Sequence, residues 1–174
     1  KSSKPSNVVE KEEIAPLPQE LTASTALALW YEMMQRAVID GTSLTEVDNL
    51  GFNFLHYAAL EGNVEVIEML LDKGCSVNYV AQNHQQIIPM HWAALRGHAE
   101  AVILLLERGG DMNLGDSEGH TALLKAAQYG QTHVCQVLVA RGCPADQTDI
   151  HKHTALHWAC YMGRLLCAQY LIRA

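Results

Sequence analysis

The stretch that decides the fold is IPMHWAA, which occupies residues 88–94 and returns along the chain at a nearly fixed distance. Three further segments align with it: NFLHYAA at 53–59, TALLKAA at 121–127 and TALHWAC at 154–160. Successive copies are 35, 33 and 33 residues apart, counted between Leu55, Met90, Leu123 and Leu156. Self-similarity at such a period is typical of a solenoid, in which stacked units share one continuous core.

Each copy is followed by a similar order of glycines and apolar residues. A glycine comes three residues after the small pair, where it ends a first helix by adopting a left-handed conformation: Gly62, Gly97, Gly130 and Gly163. Apolar runs such as VIEMLL at 66–71 and VILLL at 102–106 then predict a second helix. A second glycine stops that helix at Gly74, Gly109 and Gly142. Each unit is therefore predicted to be a turn followed by two antiparallel helices.

This pattern resembles the ankyrin repeat, whose signature is Thr-Pro-Leu-His-x-Ala-Ala, a glycine, a helix, and Gly-Ala-Asp-Val-Asn. The resemblance covers about residues 48 to 174 and implies an all-α solenoid of helix-turn-helix units joined by short hairpin-like turns. The expected repeats occupy 48–80, 81–115, 116–148 and 149–174, the last of them truncated before its closing glycine. We expect a further covering unit beyond it.

The first 47 residues depart from the pattern. Residues 21–47 are interpreted as a degenerate capping repeat with a helix at 26–39, within an ankyrin region of 21–174. Residues 1–20 hold three of the five prolines and no periodicity, which favours a flexible leader. The alternative is that Ile14 to Leu21 pack along the stack. Because the chain lacks an initiator methionine, it is interpreted as a fragment.

Composition excludes several classes of function. The formal net charge of −7 and the pI near 5.7 argue against a nucleic-acid or anionic-membrane binder, which needs a positive surface. The apolar runs fall short of the roughly 18 residues of a membrane span, so no direct membrane insertion is expected. Five cysteines, an odd number, without a Cys-x-x-Cys pair indicate reduced thiols in an intracellular, cytosolic protein.

Nine histidines raise the question of metal or catalytic chemistry. His56, His91 and His157 are accounted for by the repeat motif. A cluster of His151, His153, His157 and Cys160 is an alternative, because zinc binds such side chains in tetrahedral sets. No phosphate-binding glycine loop or paired carboxylates accompany them. We expect no catalytic residue, no cofactor and no metal site in this segment.

The predicted function is the binding of other proteins along the inner helices. Residues three and four apart share a helix face, so stacked repeats align them in a ladder on the concave side. Because a lysine is almost never fully buried, Lys125 indicates that its position reaches solvent in every repeat. The predicted contact residues are Tyr57, Glu61, Trp92, Leu95, Arg96, Lys125, Gln128, Tyr129 and Trp158.

Two features of this surface have alternative interpretations. Trp92 and Trp158 are either exposed binding anchors or fillers of the space between repeats. The lengthened turn QNHQQI at 82–87 either completes a pocket beside Trp92 or is a tolerated surface insertion.

The two Trp-containing motifs, the lengthened turn and the leading half-repeat together are similar to the amino-terminal ankyrin domain of Asp-His-His-Cys palmitoyltransferases, the group with huntingtin-interacting palmitoyltransferase. That resemblance implies that this segment captures extended substrate peptides with a Gln-Pro pair, in a pocket that here falls on Trp92 and Glu61. The family has Asn where this chain has Glu61, and Trp where it has Tyr57. The third copy has Leu124 in the place of the motif histidine.

Three hypotheses follow for the parent protein. It is a membrane acyltransferase of the Golgi or endomembranes with this domain facing the cytosol, a soluble scaffold or signalling adaptor, or an enzyme or metal protein in its own right.

Overall fold

The structure, a computed structural model, describes residues 47–174 together with Glu32, Met34, Arg36 and Leu44. The expected leader at 1–20 and most of the expected capping helix at 26–39 lie outside the described residues. Glu32, Met34 and Arg36 are helical, and the Met34 side chain is buried in the main core. The repeat bounds of the sequence analysis are kept below as divisions of the chain, and they stay a prediction.

Eight helices lie within the described part of the chain, and they alternate between two layers. The inner layer contains α1 (Phe54–Glu61), α3 (Pro89–Arg96), α5 (Ala122–Tyr129) and α7 (Ala155–Tyr161). The outer layer contains α2 (Val64–Asp72), α4 (Ala99–Glu107), α6 (Thr132–Ala140) and α8 (Leu165–Leu171). In this part the only β pairing is at the isolated bridges Val47–Asn53 and Thr148–Thr154. The prediction of an all-α repeat fold is confirmed.

Motif side chains set where the inner helices begin and end. The Asn53 side chain accepts the His56 N–H, and the His56 ring accepts the Asn53 N–H, so the two residues cap α1 reciprocally. Thr154 and His157 do the same at the start of α7. At the other end Gly97 takes a φ of 87° and closes α3, a conformation that costs glycine little.

Neighbouring repeats are joined by a hydrogen bond that recurs at each junction. The residue after each helix-ending glycine donates a side-chain N–H to a carbonyl of the preceding inner helix: His98 Nε2 to Leu60 O (3.0 Å), Gln131 Nε2 to Leu95 O (3.0 Å) and Arg164 Nε to Gln128 O (3.2 Å). A Cβ at Gly62 would lie 2.4 Å from the His98 ring. The glycine therefore also provides the space in which the next repeat is seated.

Two motif histidines are buried at these junctions. His56 Nε2 donates to Ile87 O at 3.0 Å, and His91 Nε2 donates to Leu114 O at 2.9 Å. Burial lowers the pKa of each to about 4, against a partial opposing effect of those carbonyls. Both rings are therefore neutral at pH 7, with Nδ1 free to accept the backbone N–H at the start of their helices.

The main core runs between the two layers through all four repeats. On α7 and α8 several side chains remain exposed, among them His157, Cys160, Leu165 and Leu166. Cys160 is thus exposed, whereas the other four cysteines are buried. Within the described residues, none of the helices has the length and apolar character needed to cross a membrane.

Candidate interaction surface

The predicted contact residues form a column, because α1, α3, α5 and α7 pack against one another in order. We call this column the inner-face ladder: residues 57, 60 and 61; 92, 95 and 96; 125, 128 and 129; 158, 161 and 162. Its members differ widely in exposure. Glu61, Arg96 and Tyr161 are exposed, whereas Leu95, Tyr129 and Trp158 are half-buried.

Trp92 does not reach solvent. Its side chain is only 5% exposed and belongs to a second hydrophobic cluster with Phe52, Leu60, Ala81 and Ile87. The Phe52 and Trp92 rings are 4.4 Å apart. The expectation of an exposed Trp92 is wrong, because side chains of the first repeat and of its own turn cover the indole. The alternative, that this tryptophan fills the space between repeats, describes what is observed. Its proposed role in partner binding stays a prediction.

The lengthened turn supplies part of that cover. Its ends are joined by a hydrogen bond from Ala81 N to Ile87 O at 2.8 Å, and both residues pack into the cluster. Asn83 holds the tip, since its Oδ1 accepts the Gln85 N–H at 2.9 Å and its Nδ2 donates to Leu50 O at 2.7 Å. The turn therefore folds onto the neighbouring repeat. The two expectations for it were a pocket beside Trp92 and a tolerated surface insertion.

An aspartate in the turn fixes the ladder in the other three repeats. It stands nine residues before the first ladder position, and its partners are Tyr57 Oη (2.5 Å from Asp48 Oδ2), Lys125 Nζ (2.7 Å from Asp116 Oδ2) and Trp158 Nε1 (2.8 Å from Asp149 Oδ2). The other carboxylate oxygen accepts two backbone N–H groups of the same turn, as Asp149 Oδ1 does from His151 and His153. Sequence reasoning missed these pairs, although the spacing is visible in the sequence.

Lys125 is held by its pair more than it is offered to solvent. Its side chain is 16% exposed and lies against Asp116. Burial alone would raise the pKa of Asp116, but hydrogen bonds from His120 and the charge of Lys125 outweigh it and hold that pKa well below its usual range. The Lys125 position does reach solvent, as predicted, although only in part; the extension of that inference to every repeat is wrong at Trp92, which is buried. Gln128, also predicted as a contact residue, is buried.

Trp158 is the ladder tryptophan that solvent reaches. Besides its bond to Asp149, its ring meets those of His120, His153 and Tyr161 at centroid distances of 5.4, 5.7 and 6.0 Å. Burial opposes the charge of Asp149, yet the N–H groups of His153 and Trp158 lower the pKa of its carboxyl. An aromatic face fixed from behind by a buried carboxylate is suited to receive an apolar group, because it loses little freedom on binding.

The histidines near this end do not converge. The His151 and His153 ring centroids are 6.1 Å apart, and those of His153 and His157 are 6.2 Å apart. Among residues 47–174 and the four earlier positions described, no group of three or more His, Cys, Asp or Glu side chains is arranged to hold a metal ion.

Family models agree with this architecture. A model of ankyrin repeats in three copies matches residues 90–174, and a second model of ankyrin repeats in many copies matches 30–71 and 55–106. Between them the two models span residues 30–174. The chain belongs to the ankyrin-repeat family, whose repeats bind other proteins.

Similar curated proteins are plant ubiquitin ligases. The chain is 34% identical over 119 residues to the "Probable E3 ubiquitin-protein ligase XBOS32" of Oryza sativa subsp. japonica, which is 68% of this chain and 17% of that protein. It is 37% identical over 119 residues to the "E3 ubiquitin-protein ligase XBAT33" of Arabidopsis thaliana, which is 68% of this chain and 16% of that protein. The chain thus spans about one sixth of the length of these relatives.

Proposed function

We propose that this segment captures an extended stretch of a partner protein along the exposed part of the inner-face ladder, with Trp158 as its main anchor. The observation that carries the proposal is the row Glu61, Arg96, Tyr129 and Trp158, which are accessible side chains on four helices packed in one column. An aromatic residue that is rigid before binding supplies contact area at low entropic cost.

The other predicted residues take different places in this proposal. Leu95 lies beside Arg96 and supplies apolar contact, while Tyr57 and Lys125 border the row with their polar groups paired to aspartates. Trp92 and Gln128 are buried, and they support the exposed residues of the row by packing beneath them. The proposed surface is therefore acidic at Glu61, basic at Arg96 and aromatic toward Trp158.

The test is a peptide-binding measurement on matched variants. Extended peptides are selected from an unbiased display library, and their affinities are measured by fluorescence anisotropy. Trp158→Ala should weaken the binding of the selected peptides by about 2 kcal/mol, which is roughly a 30-fold loss of affinity, as hot-spot truncations do. Leu166→Ala removes a comparably exposed apolar side chain from the outer helix and should leave affinity unchanged. Equal losses in both variants would refute capture on this face.

For the whole protein, we propose the recruitment of substrates to a ubiquitin-transferring enzyme, which is favoured by the similarity to plant E3 ligases. The alternative implied by the sequence resemblance is the substrate-recruiting arm of a membrane S-palmitoyltransferase, with this segment facing the cytosol. The native full-length protein distinguishes them. Purified with a captured substrate, it should attach ubiquitin in the first case, and a labelled fatty acyl group in the second. If the purified protein attaches neither group, the result would favour a scaffold or adaptor.

A further inference from the structure

Two cysteines of adjacent repeats lie in contact inside the outer layer. Cys135 on α6 and Cys167 on α8 have their Sγ atoms 3.2 Å apart, and both side chains are buried. A disulfide bond is about 2.05 Å long, so small rotations of the two side chains bring the sulfurs to bonding distance. No other thiol needs to move for this bond to form.

The fold itself does not require sulfur at these positions. Counted from the helix-ending glycines, Cys135 occupies the place of Ile67 and Val102, and Cys167 occupies that of Ala101 and Val134. All four of these equivalents are fully buried aliphatic residues. The earlier junctions therefore use hydrocarbon where this junction pairs two thiols.

We propose that Cys135 and Cys167 are a redox-active dithiol, which a peroxide closes into a disulfide that ties the third repeat to the fourth. In the first step the Cys167 thiolate attacks one oxygen of hydrogen peroxide. The O–O bond breaks, a sulfenic acid forms and hydroxide leaves. In the second step the Cys135 thiolate attacks the Cys167 sulfur, the S–O bond breaks and hydroxide leaves again. With the two thiol protons, the products are one disulfide and two waters.

The order of the two thiols follows from their hydrogen bond. A bond donated by Cys135 lowers the pKa of Cys167, whereas the same contact and burial raise the pKa of Cys135. The thiolate is the nucleophile in these reactions, so Cys167 reacts first and Cys135 resolves the sulfenic acid.

Access to the pair comes from the side of α8. That helix presents Leu165 and Leu166 to solvent, and Ile172 directly after it is also exposed; each of the three is about 70% exposed. A helix of seven residues has few contacts of its own, so it opens locally at a lower free energy than the whole stack. A small oxidant can therefore reach Cys167 without unfolding of the whole stack.

The remaining thiols are poorer partners. Cys143 is buried beside Cys135, burial raises its pKa to about 11, and its Sγ lies 3.9 Å from Gln147 Oε1. Cys75 lies in the first repeat, and Cys160 is exposed on α7. Oxidation is accordingly expected to join Cys135 to Cys167 and to leave Cys143 as a thiol.

The experiment uses the reduced full chain with hydrogen peroxide as the probe. Free thiols are alkylated before and after treatment and mapped by mass spectrometry. The expected result is one cross-linked peptide that joins positions 135 and 167, and a rise in Tm of about 5 °C or more because a loop of roughly 30 residues is closed. Dithiothreitol should reverse both changes.

Three variants make the test decisive. Cys135→Val introduces the residue of the second repeat, and Cys167→Ala introduces that repeat's Ala101; each should fold and lose both the cross-link and the rise in Tm. If one of them fails to fold, the other gives the same comparison. Cys143→Ala should keep both effects. A cross-link to Cys143, or oxidised protein in which Cys135 and Cys167 are still alkylated, would overturn the proposal.

Discussion

The second and the fourth repeats share the inner-helix sequence His-Trp-Ala, and yet the two regions differ in what they offer to solvent. His91 and Trp92 are buried, whereas His157 is exposed and Trp158 half-buried. In the second repeat Phe52 and Ile87 pack against the indole and bury it. In the fourth repeat the rings of His120 and His153 and the carboxylate of Asp149 contact the indole and leave it half-buried. The comparison teaches that the residues around the motif decide whether a ladder tryptophan is core or surface.

The largest effect is expected from truncation of Trp92, with truncation of Trp158 as its comparison. Trp92→Ala should lower the free energy of unfolding by about 3–5 kcal/mol, because it empties the centre of a packed aromatic cluster. Trp158→Ala should cost about 1 kcal/mol, because half-buried side chains leave smaller cavities. Urea unfolding followed by circular dichroism measures both. Similar losses for the two variants would break the comparison.

The buried histidines predict a stability that depends on pH. His56 and His91 have folded-state pKa values of about 4, below the ordinary 6.5, so the unfolded chain binds more protons between these values. Each therefore contributes about 3 kcal/mol at pH 7 that is lost as the pH falls from 6.5 to 4. His91→Leu, the residue found at Leu124, should reduce the slope of stability against pH by about one proton.

The control for that slope is Leu124, which occupies the motif-histidine position of the third repeat. Leu124→Ala should lower the midpoint of urea unfolding without reducing its dependence on pH, because it removes buried hydrocarbon and no titrating group. An equal reduction of the slope in both variants would contradict its assignment to His91.

A smaller effect is expected at the aspartate behind Trp158. Asp149→Asn replaces an oxygen that accepts hydrogen bonds by an amide that donates them, and one of its three partners loses its acceptor. The expected loss of stability is about 1–3 kcal/mol, with a change in the fluorescence of Trp158. Asp146→Asn, at an exposed position of the same region, is the matched control and should change neither quantity.

The smallest effect on stability is expected at the exposed ladder position of the first repeat. Glu61→Asn replaces an exposed carboxylate by an amide and should change the Tm by no more than corresponds to about 0.5 kcal/mol. Its effect should appear in peptide preference, because an amide donates as well as accepts. If the selected peptides remain the same, Glu61 lies outside the contact surface.

The fold was predictable because its determinants are local and repeated. The glycines at 33- or 35-residue spacing, the small pairs and the capping residues act within one unit, and the stack multiplies their signal. The accessible part of the ladder was less predictable. Whether Trp92 is covered depends on Phe52 and Ile87, which belong to turns whose path no periodic pattern specifies.

Lys125 shows a second reason for the difference. A lysine predicts a fully solvent-facing position only when no buried carboxylate is within its reach. Here the carboxylate of Asp116 lies 2.7 Å from Lys125 Nζ. The spacing of nine residues between the turn aspartate and the ladder, found at Asp48, Asp116 and Asp149, would have identified these pairs in advance. It is absent from the second repeat, where the ladder residue is buried.

The bond that joins successive repeats has a consequence for how such a chain can change over time. His98, Gln131 and Arg164 are three chemically different side chains that donate to the same main-chain carbonyl position beside the same glycine. Because each of them donates to a backbone carbonyl, this contact does not depend on the side chains of the preceding repeat. Gene duplication or recombination between repeats can therefore join units that have never been neighbours, provided that the glycine and one donor are kept.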